Sequence, residues 1–298
     1  MSSPKIGVGP PPGAAARSEK LQAVVDELNK MVGLSAVKFE LNRFISFARV
    51  MVERRERDLP TTAINMHMVF AGPPGTGKTV VARKVGRMLR AIRLLQRGHC
   101  IEVDRSHLVA PYVGQTAPKV SEIVDRALDG VLFIDEAYTL TNQGPERDPF
   151  GQEAVDTLLK LMEDNRERLV IIVAGYGEQM HEFVASNPGL KSRFSRFIEF
   201  QSYNKEELTA IFQSIAKDNG IIFDDAAMRT AQIHIGTMAR AAGEKFGNAR
   251  DVRGFFEKVV TSQAERLSEI EDLQTLSPEQ LQTVSGDDVQ HAIDSLHS

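Results

Sequence analysis

The chain has 298 residues, of which 42% are hydrophobic and 26% charged, so it can build a sizeable core, and its length predicts about two domains. Its formal net charge of -4 argues against a protein that binds nucleic acid through overall positive charge. Cys100 is the single cysteine, which excludes an intramolecular disulfide. The sequence contains no apolar run near the roughly 20 residues that span a bilayer, and it lacks a signal-peptide pattern. We therefore expect a cytoplasmic protein without a membrane span.

The N-terminal part of the chain predicts a leader followed by helices. Residues 1–17 are rich in Pro, Gly and Ala and include three consecutive prolines, which predicts a disordered leader. Helical spacing of apolar residues begins after residue 18, and a second helix is predicted over residues 35–57.

The middle of the chain alternates short apolar runs with amphipathic helical segments. The runs cover residues 66–71, 100–103, 131–134, 169–174 and 197–200. Such alternation predicts an α/β domain with a parallel sheet covered by helices on both faces. After about residue 202 the strand signal stops. We expect an α/β domain over residues 18–202, including the N-terminal helices, and an all-helical domain over residues 203–298.

A phosphate-binding motif follows the first apolar run. Residues 72–79 have the sequence GPPGTGKT, a complete G-x-x-x-x-G-K-[ST] P-loop between a predicted strand and a predicted helix. Backbone N–H groups of such a loop surround phosphate oxygens, aided by the helix dipole. Lys78 is expected to reach the β- and γ-phosphates and the Thr79 hydroxyl to bind Mg²⁺. The nucleotide-binding set predicted here is Gly72, Pro73, Pro74, Gly75, Thr76, Gly77, Lys78, Thr79 and Val80.

Two adjacent carboxylates follow the third apolar run, as in a Walker B motif. Asp135 is expected to hold Mg²⁺, directly or through water. Glu136 is expected to orient or deprotonate the water that attacks the γ-phosphate. The histidines show no ligand spacing, so any metal should arrive with the nucleotide.

These motifs and the helical tail resemble the AAA+ superfamily over roughly residues 32–296. Within it, GPPGTGKT, the segment YVGQTAP from Tyr112, GVLFIDEAY and the run that ends in NPGLKSRF are similar to the group containing CbbX (the red-type Rubisco activase), SpoVK and the ATPase domain of EccA. The resemblance implies a five-stranded parallel sheet in the order 5-1-4-3-2, a C-terminal helical lid, ATP and Mg²⁺ as ligands, and a homo-oligomer, by resemblance a hexamer.

The resemblance also implies roles for residues outside the two motifs. Val32 and Gly33 fit the segment that packs around adenine. Arg193 fits the arginine finger that reaches the γ-phosphate of a neighbouring subunit, with Arg196 as the alternative candidate. The competing interpretation of Arg193 is an ordinary ion pair at the surface.

Two sensor positions are implied by the same resemblance. Arg250 fits the second sensor, which brings the lid onto the nucleotide, and Arg253 on the same helix face is the alternative. Many AAA+ chains end the fourth strand with a polar first sensor. This chain departs from that pattern, because its fourth strand ends in Ala174-Gly175-Tyr176. The Tyr176 hydroxyl is a candidate for positioning water.

A loop after the second predicted strand contains Tyr112, Val113 and Gly114. In AAA+ remodellers, the corresponding aromatic-apolar-glycine loop lines the central pore and grips a threaded polypeptide. The competing interpretation is a tyrosine buried in an ordinary loop.

The favoured function is a ring-forming ATPase that couples Mg²⁺–ATP hydrolysis to remodelling of a client protein through a central pore, with the Rubisco large subunit as a candidate client. The alternatives are an AAA+ ATPase of sporulation or secretion, one that acts on nucleic acid, a P-loop kinase or GTPase, and a scaffold regulated by ATP. Nucleic acid is the less favoured partner because the chain is mildly acidic and has no appended basic module. Neither the client nor any small-molecule effector follows from the sequence.

Overall fold

The computed structural model describes residues 14–141 and 148–296, so residues 1–13 of the predicted leader lie outside the described residues. The chain divides into two compact units. The first comprises the chain up to Met31, Ser35–Ala71 and Lys78–Glu199. The second comprises Val32–Leu34, Gly72–Gly77 and the chain from Phe200 onward. The domain bounds predicted at residues 202 and 203 stay a prediction.

A parallel sheet forms the centre of the first unit. Its strands are β1 (Met68–Ala71), β2 (Cys100–Val103), β3 (Gly130–Ile134), β4 (Leu169–Gly175) and β5 (Arg196–Glu199). In the part of the chain that the structure describes, these five pair in the order β2-β3-β4-β1-β5, which confirms the predicted order counted from the other edge. Every residue of the three inner strands is buried, as their continuous apolar sequences require.

Helices surround this sheet. They are α1 (Ala14–Asn29), α2 (Ser35–Arg55), α3 (Lys78–Ala91), α4 (Arg105–Leu108), α5 (Thr116–Ala127), α6 (Pro149–Asp164), α7 (Gly177–Ala185) and α8 (Pro188–Arg193). Helix α1 begins inside the stretch predicted as a disordered leader. Residues 14–16 are three alanines, the residue type with the highest helix propensity, and they extend the helix toward the N-terminus.

The second unit is mainly helical. Its helices are α9 (Lys205–Asp218), α10 (Asp225–Ala242), α11 (Ala249–Ser268), α12 (Pro278–Gln282) and α13 (Gly286–Ser295). Phe212 lies at the centre of its core, in ring contact with Phe223, Phe255 and Phe256.

Two short strands depart from the all-helical prediction for this part of the chain. Strands β6 (Ile222–Phe223) and β7 (Thr283–Val284) form a parallel pair. Each has two residues, too few to show an alternating pattern in the sequence. Across both units, no helix among the described residues is long and apolar enough to cross a membrane.

Candidate functional site

In the first unit, helix α3 begins and the turn with both predicted carboxylates follows β3 at the carboxyl edge of the sheet. Strand β4 lies between β1 and β3, pairing Ala71 with Gly175 and Ile134 with Val173. Because all three strands run the same way, the start of α3 at Lys78 and the residues that follow Ile134 belong to the same edge of the sheet. Lys78 and Thr79 open that helix, where its dipole favours anions.

The turn after β3 holds both predicted carboxylates in a constrained backbone. The N–H of Asp135 donates to the Val103 carbonyl at 2.8 Å, and the N–H of Glu136 donates to Asp135 Oδ1 at 3.1 Å. Glu136 has a φ of +47°, which costs a non-glycine residue roughly 1–2 kcal/mol. The N–H and hydroxyl of Thr139 both donate to the Glu136 carbonyl, at 2.9 and 2.7 Å. The turn therefore holds both carboxylates, which are exposed, in one backbone arrangement.

Tyr138, which was not among the predicted site residues, lies beside this turn. The ring of Tyr138 packs so closely on Gly175 that a Cβ atom there would come within 2.7 Å of it. Burial, and then the charge of Glu136, raise the pKa of Tyr138. Its ring centroid is 6.4 Å from that of Tyr176, which is 41% exposed. Tyr138 is the last residue of the segment GVLFIDEAY, and its place in that segment is the sequence signal that could have identified it.

Residues 72–77 of the P-loop and the segment predicted to contact adenine both belong to the second unit. Gly75 has a φ of +66°, and a Cβ atom there would overlap the carbonyl oxygen of Gly247. Gly33 has a φ of +62°, and a Cβ atom there would lie 3.2 Å from the ring of Tyr203. Glycine is needed at both positions because of the close backbone approach and the left-handed conformation. Val32, which precedes Gly33, is half-buried.

The second-sensor candidates lie at the start of α11 in this second unit. The backbone nitrogen of Arg250 would lie 3.0 Å from a Cβ atom at Gly75, while its side chain is exposed. The side chain of Arg253 is exposed as well. Arg250 is thus close in space to the P-loop backbone, and Asn248 just before it has a φ of +51°.

Arg193 lies at the amino edge of the first unit's sheet. It ends α8 just before β5, and the register pairs Arg196 with Met68, the first residue of β1. The side chain of Asn65 donates to the Arg193 carbonyl at 2.6 Å. This places Arg193 at the opposite edge from Lys78 and the carboxylates.

The side chains of the two arginine-finger candidates differ in their surroundings. Arg193 is 27% exposed, and its Nη2 lies 3.1 Å from Glu163 Oε2. The guanidinium of Arg196 lies 4.3 Å from the ring centroid of Phe44, and burial lowers the pKa of Arg196. The contact of Arg193 is a partly exposed ion pair that can exchange, whereas Arg196 is tied to an aromatic ring.

The predicted pore loop presents its side chains to solvent. Tyr112 is 68% exposed and Val113 is 89% exposed. Gly114 has a φ of +78° with open space around it. The competing interpretation of Tyr112 as a buried core residue does not describe this loop.

The donor set at the carboxyl edge fits Mg²⁺ held together with phosphate. A threonine hydroxyl and an aspartate carboxylate are hard oxygen ligands of the kind Mg²⁺ prefers. Within residues 14–141 and 148–296, no group of three or more His, Cys, Asp or Glu is arranged to hold a metal ion. A metal at Thr79 and Asp135 would therefore need further oxygen ligands from nucleotide or water.

Comparison with known families accounts for most of the chain. Residues 68–202 match the family described as "ATPase family associated with various cellular activities (AAA)", and residues 204–298 match the "AAA lid domain". The chain therefore belongs to the AAA family of nucleotide-binding ATPases and carries an AAA lid domain. This result confirms the predicted superfamily and enzyme class.

The curated relatives of the chain include components of ESX secretion systems. The ESX-1 secretion system protein EccA1 of Mycolicibacterium smegmatis is 39% identical over 291 residues, which cover 95% of this chain and 51% of that protein. The ESX-3 secretion system protein EccA3 of the same organism is 39% identical over 293 residues, covering 94% and 48%. The chain thus spans about half the length of the relatives it matches.

A solved structure supports the fold. The crystal structure of the FIGL-1 AAA domain in complex with ADP superimposes with a TM-score of 0.61 at 18% sequence identity, covering 89% of this chain and 82% of that one.

Proposed function

We propose that this chain binds Mg²⁺–ATP at the carboxyl edge of the first unit's sheet, where α3 begins with Lys78 and Thr79, and hydrolyses it there. Lys78 would neutralise the β- and γ-phosphates from the start of α3, and Thr79 and Asp135 would hold Mg²⁺. When bound, Mg²⁺ offsets charge on the phosphate oxygens. The observation that carries the proposal is the parallel register that gives Lys78, Asp135 and Glu136 one common sheet edge.

Glu136 is the residue that we assign to the attacking water. Its carboxylate would accept a hydrogen bond from the water and orient it toward the γ-phosphorus. It would take up the proton as the new P–O bond forms and the bond from the γ-phosphorus to the bridging oxygen breaks, with ADP as the leaving group. The constrained turn supports this role, because a fixed backbone limits the positions that the carboxylate can reach. Tyr176, at the end of β4, is the further candidate for holding that water.

Arg193 would complete the site of a neighbouring copy of the chain. Its position at the amino edge separates it from the Lys78 of its own copy by the length of the central strands. A guanidinium that stabilises charge on the γ-phosphate must therefore come from another subunit. We propose a homo-oligomeric ring, with six subunits as the resemblance implies, in which Arg193 exchanges Glu163 for the phosphate.

We further propose that ATP hydrolysis drives work on a client protein in a secretion pathway. The relatives named above belong to secretion systems, which favours the secretion alternative over Rubisco activation. The exposed Tyr112 and Val113 support contact with a polypeptide, because an aromatic ring and an aliphatic group bind varied side chains without directional bonds.

Nucleotide affinity tests the proposed site. Lys78→Ala should weaken Mg²⁺–ATP binding by at least tenfold, since it removes a positive charge that faces phosphate. Lys84→Ala is the matched control: it removes a lysine from the same helix, where Lys84 pairs with Glu27 at 3.0 Å. Calorimetric titration of both folded variants should show a loss for the first alone. Equal affinity for ATP in Lys78→Ala and the wild type would contradict the site.

The proposed pathway needs a separate experiment in the cell. Deleting the gene in its source organism and complementing it with the wild type or Glu136→Gln should change the set of proteins in the culture medium. We expect recovery of the secreted proteins with the wild type alone. An unchanged secreted set in the deletion strain would refute the role in secretion and leave the ATPase assignment intact.

A further inference from the structure

Three consecutive carbonyl groups of the P-loop accept hydrogen bonds from one cluster of residues within the second unit. The acceptors are the carbonyl oxygens of Pro74, Gly75 and Thr76. Asn248 Nδ2 donates to the first at 3.2 Å, and the Ala249 N–H donates to the second at 3.2 Å. The Tyr203 hydroxyl donates to the third at 3.1 Å. These donors are separated from the loop by more than 120 residues of sequence.

The cluster is itself fixed by hydrogen bonds and burial. Asn248 is fully buried in a left-handed backbone conformation, and its Oδ1 accepts from the Tyr203 N–H at 3.0 Å. Its Nδ2 is also within 3.2 Å of the Phe246 carbonyl. Burial, and then the charge of Glu207, raise the pKa of Tyr203 to about 12, so its hydroxyl keeps the proton that it donates.

Holding these carbonyls also sets the direction of the amides that would face phosphate. In a trans peptide the C=O of one residue and the N–H of the next point in opposite directions. The three bonded carbonyls therefore direct the N–H groups of Gly75, Thr76 and Gly77 away from Asn248 and Tyr203. Positive φ values of +66° and +92° at the two glycines suit a concave array of N–H groups that binds anions.

We propose that Asn248 and Tyr203 are positioning residues for the β-phosphate of a bound nucleotide. They would act through the P-loop backbone, without touching the ligand themselves. The proposal rests on the proposed nucleotide site and deepens it, because it places part of the phosphate affinity in side chains outside the motif. It requires affinity for nucleotides with a β-phosphate to depend on these two hydrogen bonds more than affinity for AMP does.

Two substitutions remove the hydrogen bonds to the P-loop, and the second also removes the bonds of Asn248 to Tyr203 and Phe246. Tyr203→Phe deletes one hydroxyl, and Asn248→Gly deletes the amide while tolerating the left-handed backbone. We expect the dissociation constant for Mg²⁺–ADP to rise about fivefold in the first and roughly tenfold in the second, as losses of one or more neutral hydrogen bonds predict. The constant for AMP, measured by competition, should change less than twofold.

Gln263→Leu is the matched control. Gln263 is a buried amide of the same unit whose Nε2 donates to the carbonyls of Leu281 and Thr283, away from the P-loop. It should lower the melting temperature and leave both dissociation constants unchanged. If Tyr203→Phe and Asn248→Gly behave like this control, or lose ADP and AMP affinity in parallel, the positioning role is overturned. Lys78→Ala tests the nucleotide site separately from the positioning role. Wild-type ADP affinity in that variant would refute the nucleotide site itself.

Discussion

Acidification should destabilise the first unit through His67, the residue before β1. The His67 side chain is buried, its Nδ1 accepts a hydrogen bond from the Ile171 N–H at 3.0 Å, and its ring lies 6.0 Å from that of Phe194. Burial, and then the charge of Arg193, lower the pKa of His67 from 6.5 to about 4. Protonation would put a second donor against the Ile171 N–H and would place the charge in a buried position.

The sign and size of the effect follow from proton binding in the two states. Between pH 6.5 and about 4 the unfolded chain binds a proton at His67 and the folded chain does not. Above pH 6.5, His67 therefore does not lower the free energy of unfolding. As the pH falls from 6.5 toward 4, the free energy of unfolding decreases. One pKa unit corresponds to about 1.4 kcal/mol, so moving from pH 7 to pH 5 should cost about 2 kcal/mol through this residue.

Urea unfolding at pH 7 and pH 5 measures this difference. His67→Asn keeps an acceptor for the Ile171 N–H but does not titrate, so it should lose about 2 kcal/mol less than the wild type between the two pH values. His181→Asn is the control, because that histidine is exposed and stacks on Phe197. It should keep the wild-type pH dependence. Equal losses in the wild type and His67→Asn would refute the argument.

Two further predictions concern the proposed ring. Tyr112→Ala should change the free energy of unfolding by less than about 0.5 kcal/mol, because the ring is exposed, and should keep basal ATPase activity while losing work on the client. If the melting temperature and the basal turnover of this variant both fall, Tyr112 has a structural role instead. Arg193→Ala should still bind ATP but lower turnover roughly a thousandfold. Mixing it with Glu136→Gln subunits should restore some activity, and no recovery in a mixed oligomer would exclude a site shared between subunits.

The strands and motifs of the first unit could be predicted from local sequence. Each strand of the sheet overlaps one of the predicted apolar runs, and the P-loop motif lies between one such run and a helix. Parallel strands in this chain order predict that Lys78 and the two carboxylates share one edge of the sheet. Strands β6 and β7 could not be predicted, since two residues carry no periodicity. The start of helix α1 was missed because the Pro- and Gly-rich composition of residues 1–17 outweighed the helix propensity of its three alanines.

Contacts between residues distant in sequence are the part of the candidate site that could not be predicted. Asn248 and Pro74 are 174 residues apart, and nothing near either one signals the bond between them. Asn65 and Arg193 are 128 residues apart, and their hydrogen bond depends on the register of β1 and β5. The sequence identifies the groups that carry charge, whereas the neighbours that orient them appear once the chain is folded.

Turnover by the Glu136→Gln variant tests the central claim most directly. Glutamine keeps the size of the side chain but cannot take a proton from water. We expect Glu136→Gln to bind Mg²⁺–ATP with the affinity of the wild type and to lower kcat by at least about a hundredfold. Phosphate release and calorimetric titration on the same preparation give both quantities. Wild-type turnover by Glu136→Gln would contradict the assignment of the catalytic base and with it the proposed site.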